Sequence, residues 1–131
     1  MCIVEDTAPK KSTERQELFL KKAAQLAFKS NMNQRHGCLI VNPQSDEIIA
    51  TGYNHTYIKM CHKYSCHAEC DALRKLKRNV DLANAEMYVV RIGPESLGHP
   101  LKFSKPCEGC ATLIRKANVG RIFYSWTEYK E

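Results

Sequence analysis

No stretch of the sequence is apolar for long enough to cross a membrane. The longest candidate, Cys38-Leu39-Ile40-Val41, has the length of a strand, whereas a membrane-spanning helix needs about 18 apolar residues. The first thirty residues contain no apolar signal core either, because charged residues such as Lys10, Glu14 and Glu17 interrupt them. We therefore expect a soluble, cytoplasmic protein without a membrane partner.

The sequence also lacks internal repeats, low-complexity tracts and linker-like segments. With 131 residues, 44% of them hydrophobic, it has the size and composition of one folded domain rather than of a disordered chain. We predict a single domain over residues 1–131. Residues 1–11 show no periodicity and are predicted to form a loose N-terminal arm.

Acidic residues are scarcer than basic ones. The sequence has 14 Asp and Glu against 20 Lys and Arg, which gives a net charge of +6. This surplus favours anionic ligands such as nucleotides or nucleic acid, although it serves solubility equally well. Seven cysteines without a secretory signal argue against a disulfide framework and favour metal binding or catalysis.

Hydrophobic periodicity and turn residues divide the chain into helices and strands. Helices are predicted over residues 13–30, 67–79 and 107–118, the first with capping-box spacing between Thr13 and Gln16. Strands are predicted over residues 38–42, 47–54, 86–92 and 121–126, and a loop over residues 55–65. The first two strands form an antiparallel hairpin and single helices separate the later strands, so we predict an α/β fold with a mixed sheet.

Two short segments carry residues suited to chemistry, each at the predicted start of a helix. His67-Ala68-Glu69 is the first, and Pro106-Cys107-Glu108-Gly109-Cys110 is the second. Cys107 and Cys110 are three residues apart, so both sulfurs can face one point in a first helical turn. One imidazole from the other helix would complete three ligands for Zn²⁺, which leaves its fourth position for water.

Glu69 follows His67 by two positions and therefore points in a different direction from that ligand. A carboxylate placed beside the metal, rather than bound to it, can take a proton from water and deliver it to a ring nitrogen and a leaving amine. We predict that Glu69 is the catalytic residue.

At these residues the sequence resembles the zinc-dependent cytidine deaminase superfamily, whose signature is H-x-E followed by P-C-x-x-C. The resemblance extends from about Thr13 to Trp126. Within the superfamily, Gly52-Tyr53-Asn54 and Ser104-Lys105-Pro106-Cys107 look most like small deoxycytidylate deaminases. The resemblance implies a three-layer cytidine-deaminase-like fold, with a mixed sheet of four or five strands and helices on both faces.

The same resemblance implies the chemistry and the site. Zinc would be held by His67, Cys107 and Cys110, Glu69 would shuttle protons, and dCMP would be hydrolysed to dUMP and ammonia. Asn54 would bind the sugar or base, and the Ala68 N–H would contact the pyrimidine carbonyl. The further substrate-binding candidates are His55, Ser104 and Tyr124, and the phosphate candidates are Lys59, Lys63 and Lys105.

The chain ends five residues after Trp126, so the last helix and fifth strand common in the superfamily are expected to be absent. The strand at 121–126 would then be an exposed edge, which contact with another subunit can cover. We therefore expect a homo-oligomer.

Several alternatives remain open from the residues alone. Cys70, three residues after His67, can complete a closed structural zinc site in a non-enzymatic domain that binds nucleic acid, and Cys107 and Cys110 can form a redox dithiol. The basic run at 74–78 favours an RNA-directed deaminase of the tRNA adenosine type, although nucleic acid is the less favoured partner. A second metal site can involve Cys61, His62 or Cys66.

Overall fold

A mixed β-sheet lies between helices on its two faces. The computed structural model describes residues 2–5, 8–76, 80–98, 100–102 and 104–126. The helices are α1 (Glu14–Ala27), α2 (Ala68–Arg74) and α3 (Glu108–Ala117), and one 3₁₀ turn spans Glu95–Leu97. The strands are β1 (Cys2–Glu5), β2 (Ala8–Lys11), β3 (Arg35–Asn42), β4 (Glu47–Tyr53), β5 (His55–Lys59), β6 (His62–Cys66), β7 (Glu86–Ile92), β8 (Leu101–Lys102) and β9 (Arg121–Trp126).

Within the described residues the main sheet has the strand order β2-β1-β9-β7-β3-β4, and β8 pairs with β7. Strands β7 and β9 run parallel, whereas β3 is antiparallel to both β4 and β7. The predicted α/β fold is therefore confirmed. The four predicted strands are β3, β4, β7 and β9, and the sheet contains additional strands that the sequence did not reveal.

The prediction of a loose N-terminal arm is wrong. Strand β1 pairs with β9 in antiparallel fashion, from Cys2 opposite Trp126 to Glu5 opposite Phe123. Its Ile3 and Val4 side chains are buried in the core. Because β1 covers the edge of β9, the reason for expecting another subunit there disappears, and the homo-oligomer stays a prediction.

The prediction of a loop over residues 55–65 is also wrong, since β5 and β6 form a separate two-stranded hairpin. Met60 and Cys61 make its turn with φ values of 51° and 65°, the left-handed backbone that a two-residue hairpin turn requires. The second helix is shorter than predicted. It ends at Arg74, and the end of the predicted range, residues 77–79, lies outside the described residues.

The hydrophobic core has two halves, one on each face of the sheet. Successive side chains of a strand point to opposite faces, so Leu39 and Val41 pack with Phe19 of α1 while Cys38 and Ile40 pack with Ala72 of α2. The capping box predicted at the start of α1 is present. Among the described residues, no helix has the length and apolar character needed to span a bilayer.

Helix α2 lies directly on strand β4. A Cβ atom at Gly52 would come within 2.5 Å of the Ala68 carbonyl oxygen and the Ala72 amide nitrogen, so only glycine permits this contact. The buried carboxylate of Asp71 adds a polar link, because it accepts a hydrogen bond from the Tyr53 backbone N–H at 3.2 Å. Strand β4 therefore fixes the position of the first turn of α2.

We predict that Gly52→Ala destabilises the protein by about 1–3 kcal/mol, because the added methyl group pushes α2 away from the sheet. Urea denaturation measures this change in the free energy of unfolding. Gly109→Ala is the matched control, since a Cβ at Gly109 meets nothing within 4 Å. Equal stability of the Gly52→Ala and Gly109→Ala variants would contradict the close contact.

Candidate metal centre and catalytic cleft

The N-termini of α2 and α3 meet, and each is capped by a residue of the predicted metal site. His67 is the N-cap of α2 and Cys107 is the N-cap of α3. His67 Nδ1 lies 3.1 Å from Cys110 Sγ and 3.5 Å from Cys107 Sγ. The possible ligand atoms of these three residues all lie within 4.8 Å of one another, so they can hold one metal ion.

The electrostatics of this group favour a cation. Burial, followed by the nearby Glu69, Cys107 and Cys70 groups, raises the pKa of the Cys110 thiol. A metal ion bound by the sulfurs would offset this cost, and the positive ends of two helix dipoles also favour thiolates. One imidazole and two thiolates form a donor set typical of Zn²⁺.

Cys70, the fourth ligand of the alternative closed site, does not join this group. Its Sγ lies 3.7 Å from Cys110 Sγ, but the atoms that are all mutually close belong to His67, Cys107 and Cys110. The arrangement therefore favours three protein ligands over four.

The metal-binding group borders a cleft of about 280 Å³. Its lining residues are Met32, Gln34, His36, Asn54, His67, Ala68, Glu69, Ser104, Lys105 and Cys107. The structure thus brings together Glu69 and four of the predicted substrate or phosphate residues, namely Asn54, Ala68, Ser104 and Lys105. Burial raises the pKa of Glu69, against smaller opposing contributions from its own backbone N–H, His67 and Cys110.

Asn54 and Ser104 line the cleft, but their side chains form hydrogen bonds to other groups of the protein. The Asn54 amide accepts from the His36 N–H at 2.7 Å and donates to the Gln34 carbonyl at 2.6 Å. Ser104 Oγ donates to the Val89 carbonyl at 2.8 Å and accepts from the Ser125 N–H at 2.9 Å. Both side chains therefore shape the cleft wall.

Four of the predicted site residues lie elsewhere, two of them substrate-binding candidates and two of them phosphate candidates. Tyr124 is 7% exposed and packs in the core on the side of α2. Lys59, Lys63 and His55 belong to the β5–β6 hairpin and are not among the residues that line the cleft. Tyr124 is therefore not among the residues that line the cleft, in contrast to its prediction as a substrate-binding residue.

His36 is a cleft residue whose role the sequence did not reveal. It sits on β3 opposite Arg91 of β7. Burial, and next the charge of Arg91, lower the pKa of His36 to about 4. The imidazole is therefore neutral at physiological pH and can both donate and accept a hydrogen bond.

A second cleft of about 470 Å³ adjoins the first and shares Met32 and Gln34 with it. Two arginines, Arg35 and Arg91, are among its lining residues. Because guanidinium groups bind phosphate oxygens in bidentate fashion, these two arginines can bind an anion, and the carboxylate of Glu95 in the same cleft opposes it.

Two of the residues for which a second metal site was left open, Cys61 and Cys66, lie at opposite ends of the hairpin. Cys61 is in the hairpin turn, whereas Cys66 is at the hairpin base, where it groups with His55 and Asp71 within 4.8 Å. Arg74 and Lys75 already pair with the Asp71 carboxylate, at 2.6 and 3.0 Å. These two cations oppose the binding of a metal ion there.

Comparison with known proteins agrees with this geometry. Residues 13–126 match the cytidine and deoxycytidylate deaminase zinc-binding region. The dCMP deaminase of cyanophage S-TIM5, solved in complex with dCMP and dUMP, has a similar fold, with a TM-score of 0.62 and 22% identity over 84% of this chain and 79% of the phage chain. No curated protein matches the sequence.

RibD of Acinetobacter baumannii, solved in two forms, also has a similar fold. Its TM-score is 0.50 at 24% identity, over 81% of this chain and 26% of RibD. These structural likenesses support the predicted deaminase fold, while the match to the family covers most of the sequence and includes both motifs. The chain belongs to the cytidine and deoxycytidylate deaminase family and carries its zinc-binding region.

Proposed function

We propose that this protein is a hydrolytic deaminase of a cytosine nucleotide, with dCMP to dUMP and ammonia as the preferred reaction. The observation that carries the proposal is the meeting of His67, Cys107 and Cys110 at the wall of the cleft that also contains Glu69. The phage enzyme with a similar fold, which was solved with dCMP and dUMP, supports this choice of substrate.

His67, Cys107 and Cys110 would hold Zn²⁺, which when bound supplies the Lewis acidity that makes water a nucleophile near neutral pH. Glu69 is in the first turn of α2, two residues beyond His67, and 4% of it is exposed. In this position its carboxylate would carry the two protons of the attacking water in succession, the first to N3 of cytosine and the second to the departing amine.

Backbone and side-chain groups of the cleft orient the base. The Ala68 N–H belongs to the first turn of α2, where helix amides have no partner within the helix. It is therefore available to the pyrimidine carbonyl oxygen. Asn54 holds the backbone of Gln34 and His36 in place, and the neutral His36 imidazole offers a hydrogen bond to the sugar or base.

Arg35 and Arg91 favour a substrate that carries a phosphate. They lie in the cleft that joins the catalytic cleft at Met32 and Gln34, so a phosphate attached to a bound nucleoside can reach them. Lys105, which lines the catalytic cleft, adds a third positive charge. In this proposal the phosphate is bound by Arg35, Arg91 and Lys105, rather than by the Lys59 and Lys63 that the sequence suggested.

We predict that Glu69→Gln lowers kcat for dCMP by about a hundredfold or more, because glutamine cannot accept the proton. Zinc content, measured by atomic absorption, should stay unchanged. Glu108→Gln is the matched control, since Glu108 adjoins the ligand Cys107 but is exposed. Full activity of Glu69→Gln, or loss of its zinc, would contradict the assigned role.

We predict that Arg35→Gln and Arg91→Gln each raise KM for dCMP by about tenfold or more, since each removes a charge-assisted hydrogen bond to phosphate. Turnover of deoxycytidine, which has no phosphate, should change little. Arg115→Gln, at an exposed position of α3, serves as the control. An equal loss of activity with dCMP and with deoxycytidine would show that these arginines do not bind the phosphate.

A further inference from the structure

The β5–β6 hairpin stands apart from the main sheet and is exposed over most of its length. The sequence has no Asp or Glu between Glu47 and Glu69, so the hairpin has no carboxylate side chain. It carries Lys59 and Lys63 as well as exposed aromatic residues, and the proposed deaminase reaction uses none of them.

The aromatic residues of the hairpin share one face. Residues directly opposite each other in an antiparallel pair point to the same side. Tyr57 is opposite Tyr64, and Lys59 is opposite His62. The rings of Tyr57 and Tyr64 stack with their centroids 5.6 Å apart, while His62 contacts Tyr64 and His55 contacts Tyr57. We call this side, with His55, Tyr57, Lys59, His62 and Tyr64, the aromatic face.

The opposite side of the hairpin has a different composition. It contains Thr56, Ile58, Lys63 and Ser65. Asn31 fastens the base of the hairpin to the body of the protein, because its side chain accepts from the Thr56 N–H at 3.0 Å and donates to Thr56 Oγ1 at 3.1 Å. The opposite side therefore has one large apolar residue, Ile58, which can serve as a control position for substitutions of the tyrosines.

The aromatic face opens onto the metal-binding group. A groove of about 380 Å³ is lined by Tyr57, Ser65 and Cys66 of the hairpin, by His67 and Cys107 of the metal-binding group, and by Leu113 of α3. His67 and Cys107 also border the catalytic cleft. The hairpin thus leads along the protein surface to the proposed site of reaction.

We propose that the aromatic face binds single-stranded nucleic acid. Exposed tyrosine rings stack on bases whatever the base sequence, and Lys59 on the same face attracts the phosphate backbone. The absence of carboxylates from the hairpin and the net charge of +6 suit a polyanion better than an acidic or neutral protein partner. Binding at this face does not depend on the deaminase reaction.

Fluorescence anisotropy of the zinc-loaded protein with labelled oligo(dT) and oligo(U) tests the proposal. Neither oligonucleotide contains cytosine, so the result is independent of deamination. We expect Tyr57→Ala/Tyr64→Ala to weaken binding by at least about tenfold, because two stacking rings are lost. Tyr57→Phe/Tyr64→Phe keeps both rings and should bind normally, as should Ile58→Ala on the opposite side.

Salt dependence supplies a second readout. We expect Lys59→Ala to reduce the slope of log K against log salt concentration by about 0.7, the value for one phosphate contact in a single strand. A preference for oligo(dT) or for oligo(U) identifies DNA or RNA as the natural ligand, and either one supports the proposal.

Three results would overturn the proposal. The first is an absence of binding to both oligonucleotides. The second is equal affinity of the wild-type protein and the Tyr57→Ala/Tyr64→Ala variant, with thermal unfolding used to show that both are folded. The third is a dimer in sedimentation experiments that this variant dissociates and that excludes the oligonucleotides, because the aromatic face would then join two copies of the chain.

Discussion

The site depends on the contact of helix α2 with strand β4. Gly52 allows the helix backbone to lie on the strand, and Asp71 links the same two elements through the Tyr53 N–H. The start of α2 is thereby held against the start of α3, where Cys107 caps the helix. Two helix N-termini and the buried Cys110 thiol meet at this point, so a bound cation would stabilise the protein there. The buried carboxylate of Glu69 lies nearby and can exchange protons.

The interior elements of the fold could be predicted from the sequence because their signals are local. Leu39, Val89 and Phe123 belong to short runs rich in β-branched and aromatic residues, which are typical of buried strands, and Thr13 and Gln16 form the predicted capping box. The N-terminal strands escaped prediction because polar residues and a proline are tolerated at a sheet edge. The β5–β6 hairpin escaped because Met60-Cys61 replaces the Asn-Gly typical of its turn.

The metal-binding group could be predicted for a similar reason, since its two motifs are short and each lies at one helix end. The structure supports the grouping of His67, Cys107 and Cys110, and their roles stay proposals. The second cleft could not be predicted, because it depends on the pairing of β3 with β7, which places Arg35 opposite Ile92 and His36 opposite Arg91. Residues so far apart in sequence carry no shared local pattern. The burial of Tyr124 could not be predicted, because a position near the end of a strand does not reveal whether the side chain is buried.

The proposed reaction requires that the metal ion have three protein ligands, two of them sulfur, and one position open to the cleft. X-ray absorption at the zinc K-edge of the loaded protein tests it most directly. We expect two sulfur and two lighter scatterers around zinc, unchanged in Cys70→Ser. Three sulfur scatterers, falling to two in Cys70→Ser, would contradict it, because the site would then be closed by Cys70 and unable to admit water.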